Sequence, residues 1–263
     1  MIFETHAHYD DSRFATDRES VIKKVYNSGV APIINVGASI KSTAATVELA
    51  KKYDYIYAAV GVHPSDIEGL NEDSFNWLRE QANWEKAVAI GEIGLDYYWD
   101  KEPQVQEAQR YWFKRQMDLA RELKLPIIIH SRDAAEDTMK VMKEANAHEI
   151  PGVVHCYSYS KEMALQFIEM GYMIGVGGVV TFKNGKKLKE TVSAIPLEKI
   201  LLETDCPYMA PEPFRGKRND SGYIPYIIQQ IADIKGVTPE EVEKVTEDNA
   251  YRLFDKVKRI ERG

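Results

Sequence analysis

Six side chains of the kinds that bind metal ions lie at or near the ends of short apolar runs in this sequence. They are four histidines and two carboxylates: His6, His8, Glu92, His130, His155 and Asp205. His6 and His8 are two residues apart, so a β-strand would direct both imidazoles to one face and toward one cation. Glu92 lies between glycines, and a buried carboxylate is costly unless a cation or another partner binds it. The spacing therefore predicts a metal site built by several strands.

Asp205 has a second carboxylate close to it in the chain. Glu203 is two residues earlier and would share its face of a strand, so one of the two could bind the cation while the other orients it. We favour Asp205 as the ligand because it is nearer the strand end. His63, in Val-Gly-Val-His-Pro, is the remaining histidine at a strand end, and it could contact substrate instead of metal.

Only two cysteines occur, Cys156 and Cys206, which are too few for a cysteine-based zinc site or a disulfide framework. Any metal must then be held by histidines and carboxylates, which suit Mg²⁺, Mn²⁺ or Zn²⁺. Each cysteine directly follows a predicted ligand, and neighbouring positions on a strand point to opposite faces. We therefore expect both cysteine side chains to pack against outer helices.

The elements that would position these residues are indicated by eight apolar runs rich in β-branched residues. The predicted strands cover residues 2–3, 31–36, 56–62, 87–93, 126–129, 152–154, 172–176 and 200–202. These runs are nearly continuous in apolar residues, which is typical of parallel strands buried on both faces. Helical patterns lie between them, the clearest at 17–28, 106–123, 160–170 and 238–254.

Eight strand–helix units in a chain of 263 residues favour an α/β fold of the (β/α)8 TIM-barrel type, with residues 1–263 as a single domain. In such barrels the functional residues cluster at the carboxyl ends of the strands, where each predicted ligand would lie. Barrel closure also makes the first and last strands neighbours, which an open sheet would not do.

Composition sets limits on location and partners. Lys and Arg number 34 and Asp and Glu number 41, so the formal net charge of −7 argues against a protein whose whole surface binds nucleic acid. Basic residues are nevertheless bunched at Arg215, Lys217 and Arg218. No apolar stretch approaches the roughly 20 residues of a membrane span, and no secretory signal is visible. We expect a cytoplasmic protein that does not enter membranes.

Several short motifs together resemble the TatD family of metal-dependent deoxyribonucleases, which are TIM-barrel metal-dependent hydrolases. They are Thr-His-Ala-His-Tyr-Asp from residue 5, Gly-Val-His-Pro from 61, Gly-Glu-Ile-Gly-Leu-Asp from 91, His-Ser-Arg from 130, His-Cys-Tyr-Ser from 155, Glu-Thr-Asp-Cys-Pro from 203 and Arg-Gly-Lys-Arg-Asn from 215. The similarity runs from the first predicted strand to Asn249 in the final helix. Two departures are Glu4, where relatives usually carry Asp, and the segment 220–222, where relatives often have Glu-Pro.

The resemblance implies a hydrolase that cleaves phosphodiester bonds in DNA with two divalent metal ions, often as a 3′ to 5′ exonuclease. It implies that His6, His8, Glu92 and Asp205 hold one ion, that Glu92, His130 and His155 hold the other, and that Glu92 bridges them. We predict catalytic roles for Asp205, Glu92 and His63, with Asp205 orienting or deprotonating the attacking water.

The predicted substrate-binding residues are His63, Arg132, Arg215 and Arg218, because guanidinium groups bind phosphate bidentately. The aromatic residues Tyr97, Tyr98 and Trp99 could stack on an unpaired base, although loop packing is the commoner role of such a cluster. The expected partner is DNA with single-stranded or frayed ends, bound by a monomer.

Three alternative functions stay open. A small-molecule amidohydrolase could use the same barrel and histidines, but such relatives commonly bridge two metals with a modified lysine from the fourth strand, where this chain has Glu92. An aminoacyl-tRNA deacylase is a second possibility, since the same water could attack an ester. A scaffold whose polar cluster is purely structural is the third.

Overall fold

Eight parallel strands form a single sheet in which each strand is hydrogen-bonded to the next one along the chain. The computed structural model describes residues 1–260. The strands are β1 (Ile2–Ala7), β2 (Val30–Val36), β3 (Ile56–Val60), β4 (Ala87–Asp96), β5 (Ile127–Arg132), β6 (Gly152–Val154), β7 (Met173–Val176) and β8 (Ile200–Leu202). Nearly all strand residues are buried, as expected for strands covered on both faces.

The segment after β8 returns to β1 and closes the sheet into a barrel. Ala7 and Cys206 form a parallel bridge. The backbone N–H of Asp205 donates to the carbonyl of His6 at 2.9 Å, and the N–H of His8 donates to the carbonyl of Cys206 at 2.8 Å. Closure therefore occurs at the carboxyl ends of the two strands, beside three of the predicted ligands.

Helices connect successive strands and cover the outside of the barrel. They are α1 (Arg18–Asn27), α2 (Ile40–Lys52), α3 (Glu72–Ala82), α4 (Pro103–Leu123), α5 (Ala135–Glu144), α6 (Lys161–Glu169), α7 (Lys186–Ala194), α8 (Ile224–Lys235) and α9 (Pro239–Leu253). The Thr238 hydroxyl caps α9 by accepting from the N–H of Glu241 at 3.2 Å. Within residues 1–260, every helix is too short or too polar to cross a membrane.

Strands β4 and β5 approach each other unusually closely beside the predicted ligands. Their pairing shifts between Ile90 and Ile93, so β4 carries an extra residue around Glu92. Gly94 has a φ of 146°, and a Cβ at this position would lie 1.9 Å from the carbonyl oxygen of His130. Only glycine allows this approach, which brings Glu92 and His130 to the same end of the barrel.

The predicted fold class, a (β/α)8 barrel, is confirmed. The predicted strand ends are less accurate, because β1 continues to Ala7 instead of residue 3, β4 to Asp96 and β5 to Arg132. The four helices whose bounds were predicted correspond to α1, α4, α6 and α9, and α8 is additional to the eight strand–helix units that were expected. Residues 261–263 of the predicted domain lie outside the described residues.

Candidate metal centre

The carboxyl ends of the strands surround a cavity of about 840 Å³. Five of the six predicted ligands line this cavity, and His6 is fully buried beside them. The side chains come from β1 and the turn after it (His6, His8), from β4 (Glu92), from β5 (His130) and from the segments after β6 and β8 (His155, Asp205). The structure thus brings together residues that are up to 199 positions apart in the chain.

A first group of four ligand atoms, called site A, consists of His6 Nε2, His8 Nε2, Glu92 Oε2 and Asp205 Oδ1. The two imidazole nitrogens are 3.1 Å apart. The Glu92 oxygen lies 3.5 and 3.7 Å from them, and the Asp205 oxygen lies 3.8 and 3.4 Å from them. Four ligands at 2.0–2.2 Å from one tetrahedral cation would be roughly 3.3–3.6 Å apart. The separations in site A that involve an imidazole nitrogen, 3.1–3.8 Å, are therefore close to those that one cation requires, and His6, His8 and Asp205 form a group close enough to hold one.

A second group, called site B, uses the other oxygen of the same glutamate. Glu92 Oε1 lies 2.8 Å from His130 Nδ1 and 2.6 Å from His155 Nε2. The two imidazole nitrogens are 3.3 Å apart. Glu92 therefore directs one oxygen to each site, although its 2.6 and 2.8 Å contacts in site B are hydrogen-bond distances, shorter than the spacing of two ligands on one cation.

Hydrogen bonds on the far side of two imidazoles turn their free nitrogens toward the centre. His8 Nδ1–H donates to the carbonyl of Val36 at 2.8 Å. His130 Nε2–H donates to Asp96 Oδ2 at 3.0 Å. A carboxylate or carbonyl behind a metal-binding histidine fixes the ring and raises its basicity as a ligand. Sequence reasoning missed Asp96, although it closes the Gly-Leu-Asp motif after Glu92.

At Glu92 and His8, the neighbouring charged groups shift the pKa in the direction opposite to that of burial. Burial raises the pKa of Glu92, but the surrounding histidines, His155 and His63 foremost, more than offset it and hold that pKa well below its usual range. Burial lowers the pKa of His6 to about 4. Burial also disfavours the charged form of His8, but its hydrogen bond to Asp205 raises the pKa to about 10. Buried carboxylates that stay ionised need positive charge, which protons or cations can supply.

The donor set fits divalent cations. His6 is neutral, and its Nε2 faces the Nε2 of His8, whose other nitrogen is occupied by the carbonyl of Val36. Two facing ring nitrogens with lone pairs repel unless a proton or a cation lies between them. Imidazole and carboxylate ligands suit Zn²⁺ and Mn²⁺, and the carboxylates alone suit Mg²⁺.

His63 lies beside site B, and its ligand atom is close enough to those of Glu92 and His130 for the three to form a further group that could hold a cation. Its Nε2 is 3.7 Å from Glu92 Oε1, and its Nδ1 accepts a hydrogen bond from the N–H of Ser65 at 3.1 Å. Burial lowers its pKa to about 3, so the ring is neutral and carries its proton on Nε2. His63 therefore presents a hydrogen-bond donor to whatever lies above Glu92.

Glu203 lies behind the centre. Its Oε1 accepts a hydrogen bond from the N–H of Cys156 at 2.5 Å and is 3.9 Å from His155 Nδ1. Burial raises its pKa to about 8. The structure thus places Asp205 at site A and Glu203 behind His155, on the side away from Glu92, and the predicted orienting role of Glu203 stays a prediction.

The predicted substrate-binding arginines separate in the structure. Arg132 and Arg215 line the cavity, together with His63. Arg218 does not line it, because its guanidinium donates to both carboxylate oxygens of Asp17 at 2.8 and 2.6 Å and covers the ring of Phe14. The structure therefore does not bring Arg218 to the cavity with the other three residues, and its role in substrate binding stays a prediction.

The expectation that both cysteine side chains pack against outer helices needs correction for Cys156. Cys156 lines the cavity instead of packing against an outer helix, because a positive φ of 44° turns the backbone at this position. Cys206 is fully buried, with Thr204 and Tyr9 as its polar neighbours. Tyr97 is partly buried against the core, and its hydroxyl donates to Asp137 at 2.8 Å.

An eight-stranded parallel barrel with histidines and carboxylates gathered at the carboxyl ends of its strands defines a metal-dependent hydrolase of the TIM-barrel class. The chain belongs to the TatD family, since the family described as TatD related DNase matches residues 3–255. The family assignment made from the sequence motifs is therefore confirmed.

Relatives of known sequence and structure agree with this assignment. YabD of Bacillus subtilis, an uncharacterized metal-dependent hydrolase, is 45% identical over 97% of this chain and 99% of its own length. YcfH of Escherichia coli K12, also an uncharacterized metal-dependent hydrolase, is 33% identical over 97% of this chain and 96% of its own length. The TatD homolog YjjV from Escherichia coli K12, known from a crystal structure, is 32% identical to this chain in sequence. The two match over 97% of this chain and 98% of the YjjV chain, with a TM-score of 0.89.

Proposed function

We propose that this protein is a deoxyribonuclease that hydrolyses phosphodiester bonds of DNA with two divalent cations, and that it removes nucleotides from the 3′ end. The observation that carries the proposal is Glu92, whose two oxygens lie 2.6–2.8 Å from the nitrogens of site B and 3.5–3.7 Å from those of site A. Two cations held in this way supply positive charge that makes a water more acidic and neutralises the phosphate oxygens. The polarity of digestion follows the family resemblance.

The protein groups around the cavity have complementary tasks in this reaction. Asp205 is ionised, because the hydrogen bond from His8 offsets its burial and lowers its pKa, and it faces the cavity where it can accept the proton of the attacking water. Neutral His63 offers its Nε2–H to an oxygen of the phosphate or of the leaving group. Arg132 and Arg215, on the cavity wall, would hold neighbouring phosphates.

The decisive experiment is digestion of end-labelled single- and double-stranded DNA by metal-depleted protein to which Mg²⁺, Mn²⁺ or Zn²⁺ is returned. We expect a ladder that shortens 5′-labelled strands progressively from the 3′ end, only when a cation is present. Glu92→Gln has nearly the same shape but no charge to bridge two cations, so its rate should fall at least 100-fold, a typical order for a lost electrostatic group.

Other outcomes would contradict the proposal in distinct ways. Wild-type activity in Glu92→Gln would eliminate the two-cation account. If DNA is not cleaved but amides or aminoacyl-tRNA are hydrolysed, the amidohydrolase or deacylase alternative is favoured.

A further inference from the structure

Two exposed aromatic side chains stand on the segment that follows β4, at the rim of the cavity. Trp99 is 66% exposed and Tyr98 is 43% exposed. Their rings meet edge to face, with centroids 4.7 Å apart, and Trp99 lines the cavity directly. Large apolar rings left in water at the edge of a binding cavity mark a surface that a ligand covers.

Arg132, at the end of β5, lies over these rings. Its guanidinium carbon is 3.8 Å from the centroid of Tyr98 and 5.6 Å from that of Trp99. Within residues 1–260 no carboxylate forms an ion pair with Arg132, so its positive charge is available to a ligand. We call Tyr98, Trp99 and Arg132 the rim platform.

Other arginine–aromatic pairs at the cavity mouth lack one of these properties. Phe182, beneath Arg215, is only 7% exposed and offers no free ring face. Arg13, above Tyr208, is paired with Asp11 at 3.3 Å. The rim platform therefore combines exposed rings with an unneutralised cation, which the Phe182 and Tyr208 pairs do not.

The rim platform is held rigidly and is connected to the metal centre. The backbone N–H groups of Tyr98 and Trp99 donate to Asp96 Oδ1 at 3.0 and 3.1 Å. The other oxygen of Asp96 accepts from His130 Nε2 at 3.0 Å. One carboxylate thus fixes both the loop that carries the rings and a ligand of site B, so the platform is preorganised at a set position relative to Glu92.

We propose that the rim platform binds an unpaired nucleobase of the strand whose phosphodiester lies over Glu92. This inference rests on the proposed nuclease function and names the part of the substrate that the site recognises besides phosphate. Every base has a π-face that stacks on Trp or Tyr without regard to sequence, and Arg132 adds a cation above the rings. A base inside a duplex has both faces covered by its neighbours, so the platform selects frayed or single-stranded nucleotides.

The test compares single-stranded oligodeoxythymidines of about 12 residues, a length that spans common single-strand sites. One is intact, and the others carry an abasic tetrahydrofuran residue at one of the last three positions. Wild-type protein should show a KM roughly 5- to 100-fold higher for the abasic strand that leaves the platform empty. Trp99→Ala and Tyr98→Ala should each raise the KM of the intact strand by a similar factor, with kcat nearly unchanged. On the abasic strand that leaves the platform empty, the same substitutions should change the KM little.

Tyr111→Ala is the matched control, because Tyr111 is 49% exposed on α4 and does not line the cavity. It should behave as wild type on every strand. If Trp99→Ala and Tyr98→Ala still distinguish the abasic strand as wild type does, the rim platform does not bind a base.

A second readout separates this inference from the proposed function. A strand that carries 2-aminopurine near its 3′ end should lose fluorescence on binding to wild type, because the base stacks on an aromatic ring, and should lose much less on binding to Trp99→Ala. Quenching by wild type without any cleavage would reject the nuclease and keep the base site. Cleavage of DNA together with an equal loss of fluorescence in wild type and Trp99→Ala would keep the nuclease and reject the base site.

Discussion

At the scale of single residues, Glu92 decides the chemistry of the centre. Four imidazoles from β1, the turn after β1, β5 and the segment after β6 face its two oxygens, and burial alone would make it a neutral acid. The histidines instead keep Glu92 ionised, because each places a nitrogen within 2.6–3.7 Å of a carboxylate oxygen. Glu92 is therefore an ionised carboxylate with imidazoles at both of its oxygens.

Binding of cations should release protons. In the cation-free protein, burial disfavours charge on both rings, yet Asp205 raises the pKa of His8 to about 10, and Asp96 and Glu92 raise that of His130 to about 9. Both rings are therefore protonated at pH 7.5, and each must lose its proton before it binds a cation. Calorimetric titration with Mn²⁺ in two buffers of different ionisation enthalpy should show about two protons released.

The sign of the pH dependence follows from the same shifts. Since the rings lose their protons only as pH rises through these raised values, the apparent Mn²⁺ affinity should increase with pH up to about 9–10. Asp96→Asn removes one of the two charges that raise the pKa of His130, so it should release fewer protons. A heat of binding that is the same in both buffers would contradict the assignment of His8 and His130 as protonated ligands.

The two arginines of the 215–218 loop should differ in DNA binding. Arg215 lines the cavity, and its polar partner is a weak 3.4 Å contact to Asn184, whereas Arg218 is neutralised by Asp17. In a Glu92→Gln background, in which cleavage should be at least about 100-fold slower, Arg215→Gln should reduce the slope of log affinity against log salt by about 0.7 for single-stranded DNA. Arg218→Gln is the matched control and should leave the slope unchanged. Fluorescence anisotropy at several salt concentrations measures both, and equal slopes for the two variants would contradict the separation.

At the scale of elements, the seam between β1 and the segment after β8 is held by a buried glutamate. Glu4 Oε1 accepts from the N–H groups of His6 and Thr204 at 3.1 and 3.0 Å, and Glu4 Oε2 accepts from the Thr204 hydroxyl at 2.5 Å. Glu4→Ala leaves these three donors without an acceptor, which should cost about 2–4 kcal/mol of unfolding free energy. The melting temperature should then fall by about 5–15 °C.

Glu48→Ala is the control for this substitution. Glu48 lies on the surface of α2 with 71% of its side chain exposed, and it is paired with Lys51. Thermal melts of both variants in chelator exclude any contribution from cations. Equal melting temperatures for Glu4→Ala and wild type would show that the seam does not depend on Glu4.

The sequence predicted the barrel well because parallel strands are buried on both faces and so read as continuous apolar runs. It predicted the strand ends poorly, because the residues there belong to the candidate site and interrupt the apolar runs with polar side chains. Glu4, Thr5 and His6 are polar yet fully buried within β1, and no periodicity distinguishes them from a loop. The candidate ligands were identifiable from residue type, but the pairing of Arg218 with Asp17 could not be foreseen, because these residues are 201 positions apart.

At the scale of the whole molecule, the candidate metal centre joins parts of the barrel that lie far apart in the chain. Site A contains atoms from β1, β4 and the segment after β8, and site B contains atoms from β4, β5 and the segment after β6. The unfolded chain cannot hold these groups together. Cations that bind only the closed barrel therefore stabilise it by mass action.

Removal of cations should accordingly lower the stability of the entire barrel. At a cation concentration about 100 times the dissociation constant, the folded state gains about 2.7 kcal/mol, which for a domain of this size corresponds to a rise of roughly 5–11 °C in melting temperature. We expect a melting curve measured by calorimetry to shift down by this amount when EDTA replaces Mn²⁺. Glu92→Gln, which loses the charge that serves both sites, should melt at nearly the same temperature in either buffer. If the wild-type melting temperature is the same in EDTA and in Mn²⁺, the histidines and carboxylates form a purely structural cluster. A site that binds cations only in the folded state cannot lose them without a loss of stability.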